Sequence, residues 1–196
     1  MKRIFDMVVA MVMLCLLLPV FIVIAVLIAW ESKGGVFYQQ QRIGKGQVPF
    51  PILKFRTMSV GSDQKSLITV GDRDQRITRM GYFLRKYKID EFPQLWNVLK
   101  GEMSIVGPRP EVKRYTDLYT PEQQRVLEVR PGMTDYASFD FIDESEILAK
   151  SSNPEQTYVE EIMPQKLALN LKYIHDQSFL VDLKIIIKTL LKIIGK

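Results

Sequence analysis

Residues 7–30 run for 24 positions without a formal charge. Wound as one helix, such a run is about 36 Å long, against a bilayer hydrocarbon core of roughly 30 Å. Whatever else the chain builds, this segment has to leave water. Lys2 and Arg3 ahead of it resemble the n-region of a signal peptide. The apolar stretch is too long for one, however, and no A-x-A-like site follows, so the segment is expected to stay. Pro19 divides it into residues 7–18 and 20–30, each about 17 Å long if helical. The missing N–H of a proline and the clash of its ring with the preceding turn predict a kink there. Lys2 and Arg3 lie before the run, and Lys33, Arg42 and Lys45 lie after it. The positive-inside rule therefore selects no orientation. The simpler reading is a kinked single-pass helix, because membranes tolerate kinking prolines. The other is a re-entrant hairpin with both ends on the cytoplasmic side.

At 196 residues the whole chain is one modest domain plus an appendage. Charged residues make up 25% and hydrophobic ones 47%, which excludes a disordered chain. The net charge of +5 points to an anionic partner: nucleic acid, a phosphorylated ligand or lipid headgroups. With Cys15 the single cysteine, no intrachain disulfide forms, and it sits in the apolar run as a small hydrophobe. His175 is the single histidine, so a zinc site of Cys and His ligands is out of reach. Nothing supports a Ser-His-Asp triad built on it.

"VFYQQQRIG" (36–44) and "FPILKFRTM" (50–58) read as two strands around the turn-rich "KGQVP", a small β-hairpin. "QRITRMGYFLRKYK" reads as a helix, with Ile77, Met80, Leu84 and Tyr87 at helical spacing. In "DEFPQLWNVLKG", Asp90 fits an N-cap, Pro93 the first turn and Gly101 the stop of a short helix. "PEQQRVLEVR" and "PQKLALNLKYIHDQ" read as two more helices. The C-terminal stretch, with a helix at 182–195, carries Lys184, Lys188, Lys192 and, just beyond the helix, Lys196 on a narrow stripe. Leu183, Ile186, Ile187, Leu190, Leu191, Ile193 and Ile194 lie opposite. That pattern fits either a helix in the membrane interface or one packed on the body. The expected fold class is α+β, mainly helical. It has an N-terminal membrane segment at 1–32, which the re-entrant reading makes helix-break-helix, and a domain at 33–196, cytoplasmic on that reading, with amphipathic interfacial helices.

Arg73, Arg76, Arg79, Arg85, Lys86 and Lys88 precede the acid pair Asp90-Glu91; Lys54 and Arg56 lie upstream and Arg109 downstream in "GPRPE". Arginine grips phosphate oxygens bidentately and lysine acts as a point charge, so the set suggests a polyphosphate site. Taken singly, each cation fits a solvated face. No nucleic-acid motif accompanies them, and no partner of that kind is expected. As caps, Asp90 and Glu91 would satisfy free amides at a helix start. The same placement suits a nucleophile or a ligand of Mg²⁺, which takes one or two protein carboxylates plus substrate phosphates.

"KFRTM", "DQRITRMGYFLRKYKIDEFPQLWNVLKGEMSIVGPRP" and "VRPGMT" closely resemble the bacterial sugar transferases, the monotopic polyprenyl-phosphate phosphoglycosyl transferases. The resemblance runs from "KRIFD" to "DLKIIIKTL", and the length matches members consisting of the catalytic core alone. It implies transfer of a phospho-sugar from a UDP-sugar to polyprenyl (undecaprenyl) phosphate with release of UMP. This is the first membrane step of bacterial polysaccharide, lipopolysaccharide or glycoconjugate synthesis. It also implies a helix broken at a proline, here Pro19, in the cytoplasmic leaflet of the inner membrane, in contact with membrane lipids. The family's catalytic Asp-Glu dyad falls on Asp90 and Glu91, with Mg²⁺ as cofactor held by the same pair. Its basic residues fall on Lys54, Arg85 and Arg109, and its Pro-Arg-Pro element on Pro108, Arg109 and Pro110. Arg56, Arg76 and Arg79 join these as candidate phosphate-binding residues.

Two departures stand out. Many members place Ser before the helix-breaking proline, where this chain has Leu18. Many also follow the Arg-Pro-Gly element with Thr-Gly-x-Ala-Gln and later Asn-Gly-Arg. Here Thr134 is followed by Asp135, Ser138 replaces Gln, and Asn-Gly-Arg is missing. Segment 134–148 is expected to bear on the choice of donor, and neither the sugar nor the glycan pathway is legible. Oligomeric state is left open, a homo-oligomer included. The competing readings are a membrane glycosyltransferase releasing UDP, and a membrane-anchored anion-binding module without turnover.

Overall fold

The structure, a computed structural model, describes residues 1–62, 68–71, 74–141 and 143–195. It opens with helix α1, Lys2–Glu31, continuous through Pro19. The expected break is thus absent from the helical path. What Pro19 removes is the donor that would reach the Cys15 carbonyl one turn back. Residues at 3.6-residue spacing (Asp6, Ala10, Leu14, Leu17, Phe21, Ile24 and Ile28) face the body. The opposite side, including Leu16, Ile22, Val23, Val26 and Trp30, is exposed and apolar.

Strands β1 (Phe37–Ile43) and β2 (Pro49–Phe55) form the expected antiparallel hairpin, with Tyr38 opposite Lys54. Phe50 and Ile52 point into the core against α1, and Lys54 continues their alternate register inward. Helix α2 is Arg79–Lys86, four residues shorter at its start than the periodicity predicts. Thr78 caps it instead, its hydroxyl accepting from the Gly81 N–H at 2.9 Å, while Ile77 forms an isolated bridge to Met58. A Cβ at Gly81 would lie 2.0 Å from the Thr57 carbonyl oxygen, so only glycine lets α2 sit this close to the end of β2.

A tight 3₁₀ turn, Ile89–Glu91, then leads into α3, Gln94–Lys100. This corrects the expectation of Asp90 as N-cap: Asp90 lies in the preceding turn and Pro93 holds the cap position without a side-chain bond. Gly101 closes α3 at φ 89°, as its glycine predicts. Strand β3 (Ser104–Val106) pairs in parallel with β4 (Gly132–Thr134), so the loops after both strands emerge at one end. Between them lie α4 (Lys113–Thr116) and a 3₁₀ segment, Gln123–Glu128, where a regular helix was expected.

Helices α5 (Ala137–Asp140), α6 (Glu144–Ala149) and α7 (Pro154–Thr157) follow. A π-turn, Tyr158–Ile162, joins α7 to α8, Met163–Asp176. Pro164 therefore sits within a longer helical run than its sequence suggested, and the wide turn before it absorbs the donor it lacks. Helix α9, Phe179–Ile194, is capped by the Ser178 hydroxyl. Its apolar residues divide: Val181, Ile185 and Ile186 pack inward, while Leu180, Leu183, Ile187, Leu190 and Leu191 are exposed. Lys184, Lys188 and Lys192 are exposed beside them. Lys196 and the Ile194 side chain lie outside the described residues.

Both ends of α1 are tied to the body. Lys2 pairs with Asp182 of α9, and Arg3 donates to the carbonyls of Val98 (2.6 Å) and Leu99 (2.9 Å) at the end of α3. Asp6, 2% exposed, accepts from Ser104 Oγ at 2.7 Å. At the far end, Glu31 accepts from the N–H groups of Arg79 (2.8 Å) and Met80 (2.9 Å), capping α2 from outside.

Candidate active site

Three stretches far apart in sequence form the centre: β2, α2 with the turn that follows it, and the loop after β3. Lys88 adopts φ 55°, in the left-handed region, and this reversal turns Ile89–Glu91 back against β2. Asp90 is 6% exposed, and its Oδ1 is buried without a hydrogen-bond partner. Glu91 is engaged on both oxygens. Lys54 Nζ donates to Oε1 at 3.0 Å, Arg109 Nη1 donates to Oε2 at 3.1 Å, and Arg109 Nη2 also bonds Oε1.

These surroundings push two neighbouring carboxyls apart. Burial raises the Asp90 pKa above the usual aspartate range; Lys54 opposes this and the Glu91 charge adds to it. Burial would raise Glu91 as well, but Arg109 and Lys54 outweigh it and hold Glu91 well below the ordinary glutamate range. Burial lowers the Lys54 ammonium despite Glu91, while Glu91 raises the Arg109 guanidinium further. The result is one firmly ionised carboxylate between two cations, beside one carboxylate with an unsatisfied oxygen. An oxygen of this kind has lone pairs free to attack an electrophile or to bind a hard cation. Separation of this sort in an acid pair is characteristic of assigned chemical roles.

The remaining candidate residues divide. Arg85 acts on the charge of Asp90 and donates to Thr69 Oγ1 at 2.9 Å. Lys54, Arg85, Asp90, Glu91 and Arg109 therefore form the centre. Arg109 stands on the loop after β3, flanked by structural prolines: the Pro108 carbonyl accepts from the Gly132 N–H (2.9 Å) and the Pro110 carbonyl from Arg42 Nη1 (3.1 Å). Arg76 is committed to loop structure, with its guanidinium on Asp74 (2.6–3.1 Å) and on the carbonyls of Ser62 and Ile68. It thereby shapes the segment that brings Thr69 to Arg85. Arg79 is exposed and lines an open groove with Leu27, Trp30, Glu31 and Met80 at the end of α1. Arg56 packs on Gly34 and keeps one buried nitrogen, Nη1, unpartnered. Arg73 lies outside the described residues.

Sequence reasoning missed Gln94 and the burial of Asp135. Gln94 is 1% exposed with Nε2 unpartnered, and only its nearness to Asp90 in the chain pointed to it. Asp135 follows β4, is 1% exposed, and accepts from the Ser138 N–H at 2.7 Å through Oδ1, leaving Oδ2 unpartnered. Its charge reaches Arg109. A strong signal for it was the replacement of glycine by a carboxylate.

Among the described residues, no three His, Cys, Asp or Glu side chains converge as a metal cage. A magnesium ion does not need one, since phosphate oxygens and water complete its shell. The unpartnered Asp90 Oδ1 fits such an ion; the Glu91 oxygens are already occupied by Lys54 and Arg109.

Comparison with known proteins shows what the chain is similar to. The family model described as "Bacterial sugar transferase" matches residues 1–196. A UDP-glucose:undecaprenyl-phosphate glucose-1-phosphate transferase of Caulobacter vibrioides is 37% identical over 191 residues, covering 96% of this chain and 67% of that protein. A UDP-N-acetylgalactosamine-undecaprenyl-phosphate N-acetylgalactosaminephosphotransferase of Aeromonas hydrophila is 35% identical, covering 96% of this chain and 42% of its own length. A Bacillus subtilis protein named only as a sugar transferase is 35% identical, with 98% and 87% covered. The chain thus spans less than half of one of these relatives and about two thirds of another.

Proposed function

This chain belongs to the bacterial sugar transferase family, and from that premise we propose that it moves a sugar-1-phosphate from a UDP-sugar to undecaprenyl phosphate, releasing UMP. The observation that carries the proposal is the buried, unpartnered Oδ1 of Asp90 next to a Glu91 held ionised by Lys54 and Arg109. The names of the relatives support the substrates.

The chemistry follows from this arrangement. A lone pair of Asp90 Oδ1 forms a bond to the β-phosphorus. The bond from that phosphorus to the bridging oxygen breaks, and UMP leaves with the electron pair. A phosphate oxygen of the lipid then attacks the same phosphorus, and the Asp90 carboxylate departs unchanged. Each step exchanges bonds of similar transfer potential, because an acyl phosphate resembles the phosphoanhydride on either side of it. A serine ester would be too stable to pass the group on. Lys54, Arg85 and Arg109 offset phosphate charge in a site already desolvated. Glu91 keeps Lys54 and Arg109 in place, so its role is positional. Magnesium, held by Asp90, would supply charge neutralisation on the diphosphate.

The membrane arrangement belongs to the same proposal. One rigid body cannot grip both ends of a helix whose ends lie on opposite sides of a bilayer. Arg3 and Asp6 at one end, and Glu31 and Ile28 at the other, all bind the body. This supports a monotopic, re-entrant α1 that stays helical through Pro19. The cytoplasmic face of the bacterial inner membrane, where UDP-sugars occur, is its location. The exposed apolar side of α9 with its lysines lies in the interface.

The test is nucleotide release. Purified protein in nanodiscs receives undecaprenyl phosphate, Mg²⁺ and a panel of UDP-sugars, with UMP and UDP assayed separately. Metal-dependent UMP that disappears in Asp90→Asn is the expected result. UDP in its place identifies a glycosyltransferase and overturns the mechanism.

A further inference from the structure

Two buried polar atoms between residues 90 and 97 are orphaned, and Asp90 Oδ1 is one of them. The other is Nε2 of Gln94, a residue 1% exposed. Phe92 (φ −59°, ψ −30°) and Pro93 (φ −58°, ψ −18°) are both helical, so the 3₁₀ turn runs on into α3. Residues 90 and 94 therefore lie little more than one turn apart on the same helical run. A buried amide donor without a partner is costly, and a polar chain at this position has no packing advantage over leucine. Asn97, one turn further on, makes the contrast plain. Its amide reaches the Pro51 carbonyl (2.8 Å) and Glu102 (2.7 Å), so it is fully used in holding the fold. Gln94 Nε2 holds nothing.

We infer that Gln94 Nε2 is the hydrogen-bond donor to a non-bridging oxygen of the phosphoryl group that Asp90 attacks. The inference rests on the proposed function of Asp90. As Oδ1 bonds to phosphorus, the phosphoryl oxygens are brought to the same helical run, where an acceptor is what Gln94 lacks. The cations of the centre sit on other segments: Lys54 on β2, Arg85 on α2 and Arg109 after β3. Gln94 is thus the donor that travels with the nucleophile, on the same backbone. Being neutral, it adds a bond without lowering the Asp90 pKa as a further cation would. A preorganised donor of this kind acts mainly in the transition state, when charge on the oxygens is redistributed.

The test compares Gln94→Leu and Gln94→Met with wild type and Asp90→Asn in the UMP-release assay, with thermal unfolding measured on the same samples. Expected are a fall in kcat of about 10²-fold with KM for the UDP-sugar little changed, and a melting temperature equal to or above wild type, because an unpaired buried donor has been removed. Unchanged kcat in either variant, or a loss of rate that tracks a loss of melting temperature in both, overturns the assignment. Activity surviving in Asp90→Asn would instead sink the covalent mechanism itself, so the two failures are distinguishable.

Discussion

Asp90 and Glu91 are adjacent in the chain, yet replacing them should have opposite effects on stability. Asp90 has its pKa raised by burial, so the folded state is penalised once the carboxyl ionises. That penalty is fully present above the raised folded pKa and vanishes below the ordinary aspartate range. Asp90→Asn should therefore abolish UMP release while raising Tm at neutral pH by about 2–4 °C for each kcal/mol recovered. The gain should shrink to nothing as the pH falls into the ordinary carboxyl range; a lower Tm at neutral pH would contradict this. Glu91 is the reverse case. Its depressed pKa contributes stability above the ordinary glutamate value, and that is lost as pH falls through the lower folded value. Glu91→Gln leaves Lys54 and Arg109 facing each other without a counter-charge. With Arg109 about a third exposed (32%), the cost should be about 2 kcal/mol, below the 3–5 of a fully buried pair, readable by denaturant unfolding. The rate should also fall on the acid side as Asp90 protonates, at a pH above the ordinary aspartate range, in a kcat/KM profile.

At the scale of elements, the junction of α1 with α2 couples the membrane helix to the catalytic centre. Glu31 closes the N-terminus of α2, and α2 carries Arg85 toward Asp90. Glu31→Ala should cost about 1 kcal/mol, the usual worth of a helix cap. Because α2 has only eight residues, the loss should also loosen Arg85 and lower kcat/KM while α3 and the dyad stay in place. Hydrogen exchange should locate the change: faster exchange at Arg79, Met80 and Gly81, with α3 unaffected. Protection lost evenly across the chain would mean that the cap supports the whole fold instead. Nothing local marks Glu31 as a cap, since 48 residues separate it from the amides it satisfies. Thr78, by contrast, caps its own helix and could have been read from the sequence.

For the molecule as a whole, the outward faces of α1 and α9 form one apolar surface, joined where Phe5 meets Phe179 edge-on at 5.2 Å. A surface this large needs lipid or a partner to cover it. In a Cys15→Ala background, cysteines at positions 2 and 33 should both be labelled by an impermeant thiol reagent from the cytoplasmic side alone. Labelling from opposite sides would restore the single-pass helix and separate α1 from one of its two docking sites.

The sequence alone determined the apolar run, the hairpin of β1 and β2, the glycine end of α3 and the block containing Asp90, Glu91 and Arg109. These depend on local propensity, periodicity and a contiguous motif, all of which a linear chain carries. It could not decide which carboxylate stays free, that Asp90 is not a cap, that Arg76 serves its own loop while Arg109 serves Glu91, or that Gln94 is left with an empty donor. Those outcomes follow from burial and from charges that β2, α2 and the loop after β3 bring together across tens of residues. Desolvation and Coulomb forces depend on distance in space, and only the tertiary structure sets that distance.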